Sequence, residues 1–123
     1  MRRRQAGFTL IEIMVVLAII GLVAAAIGAA VYKQWKDARL KIAQLQVREV
    51  THAVEQYVMT KDRCPTLQQM EEEGDLRHAA IDPWGNRLVL DCPSKHPRDA
   101  ADVSSWGPDK QAGTEDDINS WQL

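Results

Sequence analysis

Hydrophobic and polar positions follow three successive patterns along this chain. From Ile13 to Val31, nineteen consecutive residues carry no charge and no strongly polar side chain, close to the ~20 that cross a bilayer as an α-helix. A helix apolar on every side is covered either by lipid or by a large protein core, and 123 residues are too few to build that core around it. From Tyr32 to about Thr60 polar residues return and the pattern becomes one-sided. Leu40, Val47 and Val54 lie seven apart, as do Ala43, Val50 and Tyr57, and no proline occurs before Pro65. Leu40, Ala43, Val47, Val50, Val54 and Tyr57 therefore form one stripe, with Lys36, Lys41, Gln44, Arg48 and Glu55 largely away from it. The pattern predicts a single helix from Phe8 to about Thr60, about 80 Å long at the usual rise. The stripe could join a short coiled coil, but the acidic segment downstream needs a surface to pack on, which favours an intramolecular contact.

Beyond the helix the punctuation is dense. Lys61-Asp62-Arg63 followed by Cys64-Pro65 ends it, because a residue before proline is biased away from the α region. Thr66 reads as the N-cap of a short helix from Leu67 to about Glu73, closed by Gly74. Asp82-Pro83-Trp84-Gly85-Asn86 is a turn, followed by a strand over Arg87-Leu88-Val89-Leu90. A second, weaker strand from Ala101 to Ser105 leads into Trp106-Gly107-Pro108, and Asp109 to Asn119 reads as loop. The predicted class is α+β: one long helix, apolar in its inner half and amphipathic in its outer half, packed against a small antiparallel sheet.

Composition and charge add a topology. A chain of this length, 46% hydrophobic and 26% charged, holds one small domain and excludes a multidomain enzyme. Residues 1–63 carry ten Lys/Arg against five Asp/Glu, and residues 64–123 five against twelve. The one dense basic cluster, Arg2-Arg3-Arg4, precedes the apolar run instead of lying on a folded face, so it speaks for membrane topology and against nucleic acid. By the positive-inside bias it places the N-terminus in the cytoplasm and everything after Tyr32 outside. Ala24, Ala26 and Ala30 offer contexts for a secretory cleavage. Glu12 opposes that reading, since an acidic residue reaching mid-membrane costs about 2 to 3 kcal/mol and a disposable signal gains nothing from it. Gly21, Ala25 and Ala29 recur every four residues, the spacing that lets helix backbones approach closely in lipid.

Gly7-Phe8-Thr9-Leu10-Ile11-Glu12, after a short basic leader, resembles the processing site of type IV prepilins and pseudopilins. The resemblance implies that a prepilin peptidase cuts between Gly7 and Phe8 and methylates the new amine of Phe8, keeping the apolar helix. It also implies a partner for Glu12, the α-amino group of a neighbouring subunit's Phe8, a pair that neutralises both charges and sets register in an assembling bundle. Residues 1–7 then form the leader, 8–32 the membrane and assembly half of the helix, 33–62 its periplasmic half, and 63–123 the small globular region.

Four carboxylates, Asp109, Glu115, Asp116 and Asp117, stand within nine residues, near Gly107 and Gly113. Hard oxygen donors on a flexible loop suit calcium. The EF-hand spacing is missing, and spacing alone favours a solvated acidic loop. The order Asp82-Pro83-Trp84-Gly85-Asn86, Ser105-Trp106-Gly107-Pro108-Asp109, then Asp116-Asp117-Ile118 resembles the protein G family of type II secretion systems, the major pseudopilins. That resemblance implies calcium in this loop, with side chains from Asp109, Asp116 and Asp117 and a backbone carbonyl from Trp106; Glu115 matches less closely. It further implies an inner-membrane anchor with a periplasmic domain, a homopolymeric filament that supports export of folded proteins, and contacts with minor pseudopilins and an inner-membrane assembly platform. Two departures stand out: Arg87 occupies a position commonly proline in the family, and the acidic loop is short.

Cys64 and Cys92, placed outside the cytoplasm by the topology, are expected to form a disulfide. A zinc site with His78 or His96, or a thiol nucleophile with His52, would call for spacings that are missing. Trp84, Trp106 and Trp121 read as core or turn anchors. No phosphate-binding glycine loop, Ser-His-Asp set or HExxH occurs, so the reading is a structural subunit and not an enzyme. Competing readings are a pilin of an adhesive or DNA-uptake filament and a membrane-tethered calcium-binding interaction domain.

Overall fold

The structure is a computed structural model that describes Arg4 and residues 6–123. Met1, Arg2, Arg3 and Gln5, and with them most of the predicted leader, lie outside the described residues. Helix α1 spans Leu10–Lys61, as the apolar run and the stripe predicted, and contributes to two compact units, Met1–Asp37 and Ala38–Leu123. Its first turn is capped by Thr9, whose Oγ1 accepts the Glu12 N–H at 3.3 Å. Thr9 and Glu12 thus stand at the spacing of a helix-start pair, and the carboxylate lies where the helix dipole favours a negative charge.

In the first unit the helix from Leu10 onward is exposed along its length, and it is long and apolar enough to cross a membrane. Tyr32 and Trp35 contact each other, with ring centroids 6.5 Å apart, and the Lys36 ammonium lies 5.6 Å from the Tyr32 ring centroid.

In the second unit, Ala43, Val47, Val50, Val54 and Tyr57 bury one stripe of α1. The core is completed by Leu67, Met70, Ala80, Leu88, Ala101, Val103 and Ile118. Leu40, predicted as part of the stripe, is 41% exposed; the buried positions begin at Ala43, so the covering segment ends one turn short of it. Helix α2 (Leu67–Glu73) follows its capping chemistry: Thr66 Oγ1 accepts the Gln69 N–H, Gln69 Oε1 accepts the Thr66 N–H, and Gly74 closes the helix at φ 79°.

Strands β1 (Val89–Asp91), β2 (Asp102–Ser105) and β3 (Ile118–Asn119) form an antiparallel sheet in the order β1-β2-β3. The first strand begins two residues later than predicted. Arg87 forms an isolated bridge with Ile81, and the Leu88 N–H donates to the Ala80 carbonyl, so residues 87 and 88 close the preceding turn before the chain joins the ladder. The predicted 109–119 loop ends early: Ile118 and Asn119 pair with Ser105 and Ser104, and Ser120–Gln122 forms a 3-10 turn. Two residues carry too little alternation to announce a strand. Of the tryptophans read as core or turn anchors, Trp84 sits in the 82–86 turn and packs half-buried against the core, Trp106 is half-buried, and Trp121 is exposed and stacks on His96 with centroids 4.2 Å apart.

Candidate functional site

The acidic loop leaves β2 at Ser105 and returns at β3. Gly107 has φ +74°, and a Cβ there would collide with the Asp116 carbonyl, so the outgoing and returning strands of the loop touch at a point only glycine fits. Lys110 (φ 59°) and Gly113 (φ 79°) also turn the chain through the left-handed region. As a result Asp109, Asp116 and Asp117 come together, with one oxygen of each lying within 4.8 Å of the others. Glu115 is exposed and outside this trio.

Short hydrogen bonds hold the group. Asp109 Oδ1 accepts the Gln111 N–H at 3.0 Å, Asp116 Oδ2 the Asp109 N–H at 3.2 Å, and Asp117 Oδ2 the Gly113 N–H at 2.7 Å. Thr114 Oγ1 lies 2.6 Å from Asp116 Oδ1 and 3.2 Å from Asp117 Oδ1. The Thr114 hydroxyl holds the Asp116 carboxyl below the ordinary carboxylate range; desolvation opposes this, and groups of Asp109 assist.

The donor set fits a calcium-sized cation. Ligands on opposite sides of calcium stand about 4.6 to 5.2 Å apart at its usual bond lengths, and neighbouring ligands closer. The observed spread falls inside that span, and three carboxylates that repel one another at neutral pH would be offset by a divalent charge.

Behind the loop lies a buried polar group that the sequence reading did not single out. Asp82 is 4% exposed and Ser105 fully buried. Asp82 Oδ1 accepts the backbone N–H groups of Trp84 (3.1 Å) and Asn86 (2.8 Å), and Asp82 Oδ2 accepts the Ser105 hydroxyl (2.8 Å) and the Asn86 amide (3.4 Å). The available signal was an Asp opening a D-P-W-G-N turn, since Asp side chains close such turns on their own backbone. Arg87, the departure at the end of this turn, donates to both oxygens of Glu71 at 3.0 and 3.1 Å, which ties the turn to α2.

Gly7 and Phe8 are exposed ahead of α1, and Glu12 is exposed in its first turn. Gly21, Ala25 and Ala29 are exposed along the apolar part. Cys64 and Cys92 are bonded, with Cα atoms 5.7 Å apart; both thiols are consumed, which removes the zinc and nucleophile readings. His52 is exposed with Nε2 3.3 Å from the Gln56 amide, and His96 Nδ1 lies 2.9 Å from the buried Asp102 carboxylate.

Comparison with known proteins adds a second line of support. Residues 2–28 match the prokaryotic N-terminal methylation motif, and residues 30–121 match the model for protein G of the type II secretion system. The chain is 34% identical to the type II secretion system core protein G of Escherichia coli (strain K12), over 98% of this chain and 93% of that one. It is 31% identical to the core protein G of Dickeya chrysanthemi, over 100% and 90%. The fold is similar to the crystal structure of the major pseudopilin from the type 2 secretion system of enterohaemorrhagic Escherichia coli, with a TM-score of 0.59 at 24% identity, covering 75% of this chain and 94% of that one. With an apolar helix entered at Thr9, a three-stranded sheet and a match over 30–121, this chain belongs to the type II secretion system protein G family.

Proposed function

We propose that this protein is a major pseudopilin, a membrane-anchored structural subunit that polymerises into the periplasmic filament of a type II secretion system and supports export of folded proteins across the outer membrane. The observation that carries the reading is the match to protein G over residues 30–121, joined to a methylation motif over residues 2–28. Prepilin peptidase cuts after Gly7 and methylates Phe8. Residues 8–32 then hold the subunit in the inner membrane, with residues 33–62 and the 63–123 region in the periplasm. Inner-membrane assembly components and minor pseudopilins are its partners.

The work of this chain is association. Exposed in lipid as a monomer, Glu12 carries a desolvation cost of about 2 to 3 kcal/mol if drawn to mid-membrane. A neighbouring subunit's Phe8 amine offsets that cost only in the assembled register, so the pair selects a geometry more than it adds stability. Calcium held by Asp109, Asp116 and Asp117, with the Trp106 carbonyl, neutralises the loop and orders the segment leading to β3. Binding to the folded form alone stabilises it by mass action.

Glu12→Ala tests the assembly step, with processing followed by mass and filament formation by electron microscopy of sheared cells. The expected result is a processed, membrane-held subunit that forms no filament. Normal filaments in that variant would remove the charge pair from the mechanism.

A further inference from the structure

We infer that Asp82 is a positioning residue for the cation loop, acting through Ser105 on Gly107; the inference rests on the reading of that loop as a calcium site. A carboxylate only accepts hydrogen bonds. With Asp82 Oδ2 2.8 Å from Ser105 Oγ, the Ser105 hydroxyl must donate to it. Its lone pairs are thereby turned to other donors, and the Gly107 N–H reaches one of them at 3.3 Å. On the second branch, the Asn86 amide donates to Asp82 Oδ2 at 3.4 Å and approaches the Gly107 carbonyl at 3.5 Å.

Both polar groups of Gly107 are thus addressed by side chains that themselves bond to Asp82. Gly107 is the point where the loop closes on itself, because its Cα packs against the Asp116 carbonyl with no room for a side chain. Displacing Gly107 therefore shifts its contact with the Asp116 backbone and, through the planar peptide that carries the Gly107 N–H, the Trp106 carbonyl. The hydrogen bonds of the Asp82 side chain go to Trp84, Asn86 and Ser105 and not to the carboxylate trio, yet through them it fixes the spacing between the two ends of the loop. Partners behind metal ligands set affinity in this way, and their loss commonly weakens binding 10- to 100-fold.

The position of Asp82 also explains why a buried carboxylate is tolerated there. Its two oxygens take four donors, which offsets the loss of solvation. A purely structural turn would be served by the two backbone contacts on Oδ1; the two contacts on Oδ2 point toward Gly107 and the loop.

The test uses the full-length chain in detergent, as wild type, Asp82→Asn and Ser105→Ala. Terbium is titrated with tryptophan-excited luminescence as the readout, and calcium by competition, at a temperature well below the unfolding transition of each variant in the absence of metal. The expected result is binding by the wild type, at least ten-fold weaker binding by both variants, and a shortened terbium luminescence lifetime as water enters the loosened site. Wild-type binding with both variants within two-fold, and with unchanged lifetimes, would overturn the positioning role even if their metal-free stability had fallen. Absence of terbium and calcium binding by the wild type would overturn the calcium reading itself and this inference with it. Should Asp82→Asn fail to fold, Ser105→Ala, which removes a single oxygen, decides alone.

Discussion

Removing the Cys64–Cys92 bond should shift the unfolding of the Ala38–Leu123 unit by an amount that can be worked out in advance. The bond closes a loop with a sequence separation of 28. On the chain-entropy model that constraint removes about 3.6 kcal/mol of freedom from the unfolded state. A unit of this length is expected to have roughly 4 to 13 kcal/mol of total stability, so the loss is a large share of it. At the usual unfolding entropy for its size the transition should fall by about 20 °C. The bond also joins the segment after α1 to the end of β1, across which the core residues Leu67, Met70, Ala80 and Leu88 are held. Replacing both cysteines by alanine keeps most of the half-buried Cys92 packing and isolates the constraint. The assay is thermal unfolding of the full chain in detergent, followed by tryptophan fluorescence and near-ultraviolet dichroism, with wild type, double alanine variant and reduced wild type side by side. A fall of 15 to 25 °C, shared by the variant and the reduced protein, is the expected outcome. Transitions within about 5 °C of the oxidised wild type would refute the loop-entropy account of what holds the unit together.

Two further expectations concern the loop and the sheet. Gly107→Ala places a methyl group against the Asp116 carbonyl at φ +74°, which should cost about 1 to 3 kcal/mol in urea unfolding and abolish terbium binding; a variant as stable and as metal-competent as wild type would show that the two ends of the loop do not meet there. Asp102 should support stability through its charge: burial alone would raise its carboxyl, but hydrogen bonds from Ser94, His96 and Lys95 outweigh burial and hold it below the ordinary value of 3.8. Its contribution is therefore present above the unfolded value and lost as pH falls through the lower folded one. Wild type should lose stability below about pH 4 more steeply than Asp102→Asn, and parallel acid limbs in the two melting profiles would contradict this.

Much of the fold was legible because the responsible signals are local. The apolar run, the stripe from Ala43 to Tyr57 and the Thr66 N-cap of the short helix each lie within a few turns of chain, and each appears where the local pattern placed it; the reciprocal bond from Gln69 to the cap emerged with the structure. Spacing made the acidic residues legible only as a cluster, and the family resemblance singled out Asp109, Asp116 and Asp117 from it; what brings the three together is Gly107 meeting Asp116 across the loop, a contact that no spacing announces. Likewise Ile118–Asn119 becomes a strand only because Ser104 and Ser105 lie alongside it. Leu40 shows the converse limit, since periodicity marks a face but not where the covering segment ends. Arg87 stands where the family commonly has proline, and its bonds to Glu71 hold the turn by a contact that the local sequence does not announce.

The proposed assembly pairs Glu12 with a neighbour's newly made amine, and under that proposal the amine exists only if the leader is removed at one bond. The decisive measurement is the intact mass, with N-terminal fragmentation, of the protein extracted from membranes of cells that carry a type II secretion system. The expected product begins at Phe8 and carries one N-methyl group, so that it is heavier than residues 8–123 by a single CH2. A product that keeps residues 1–7, or that begins near Ala26 after secretory cleavage, would contradict the account.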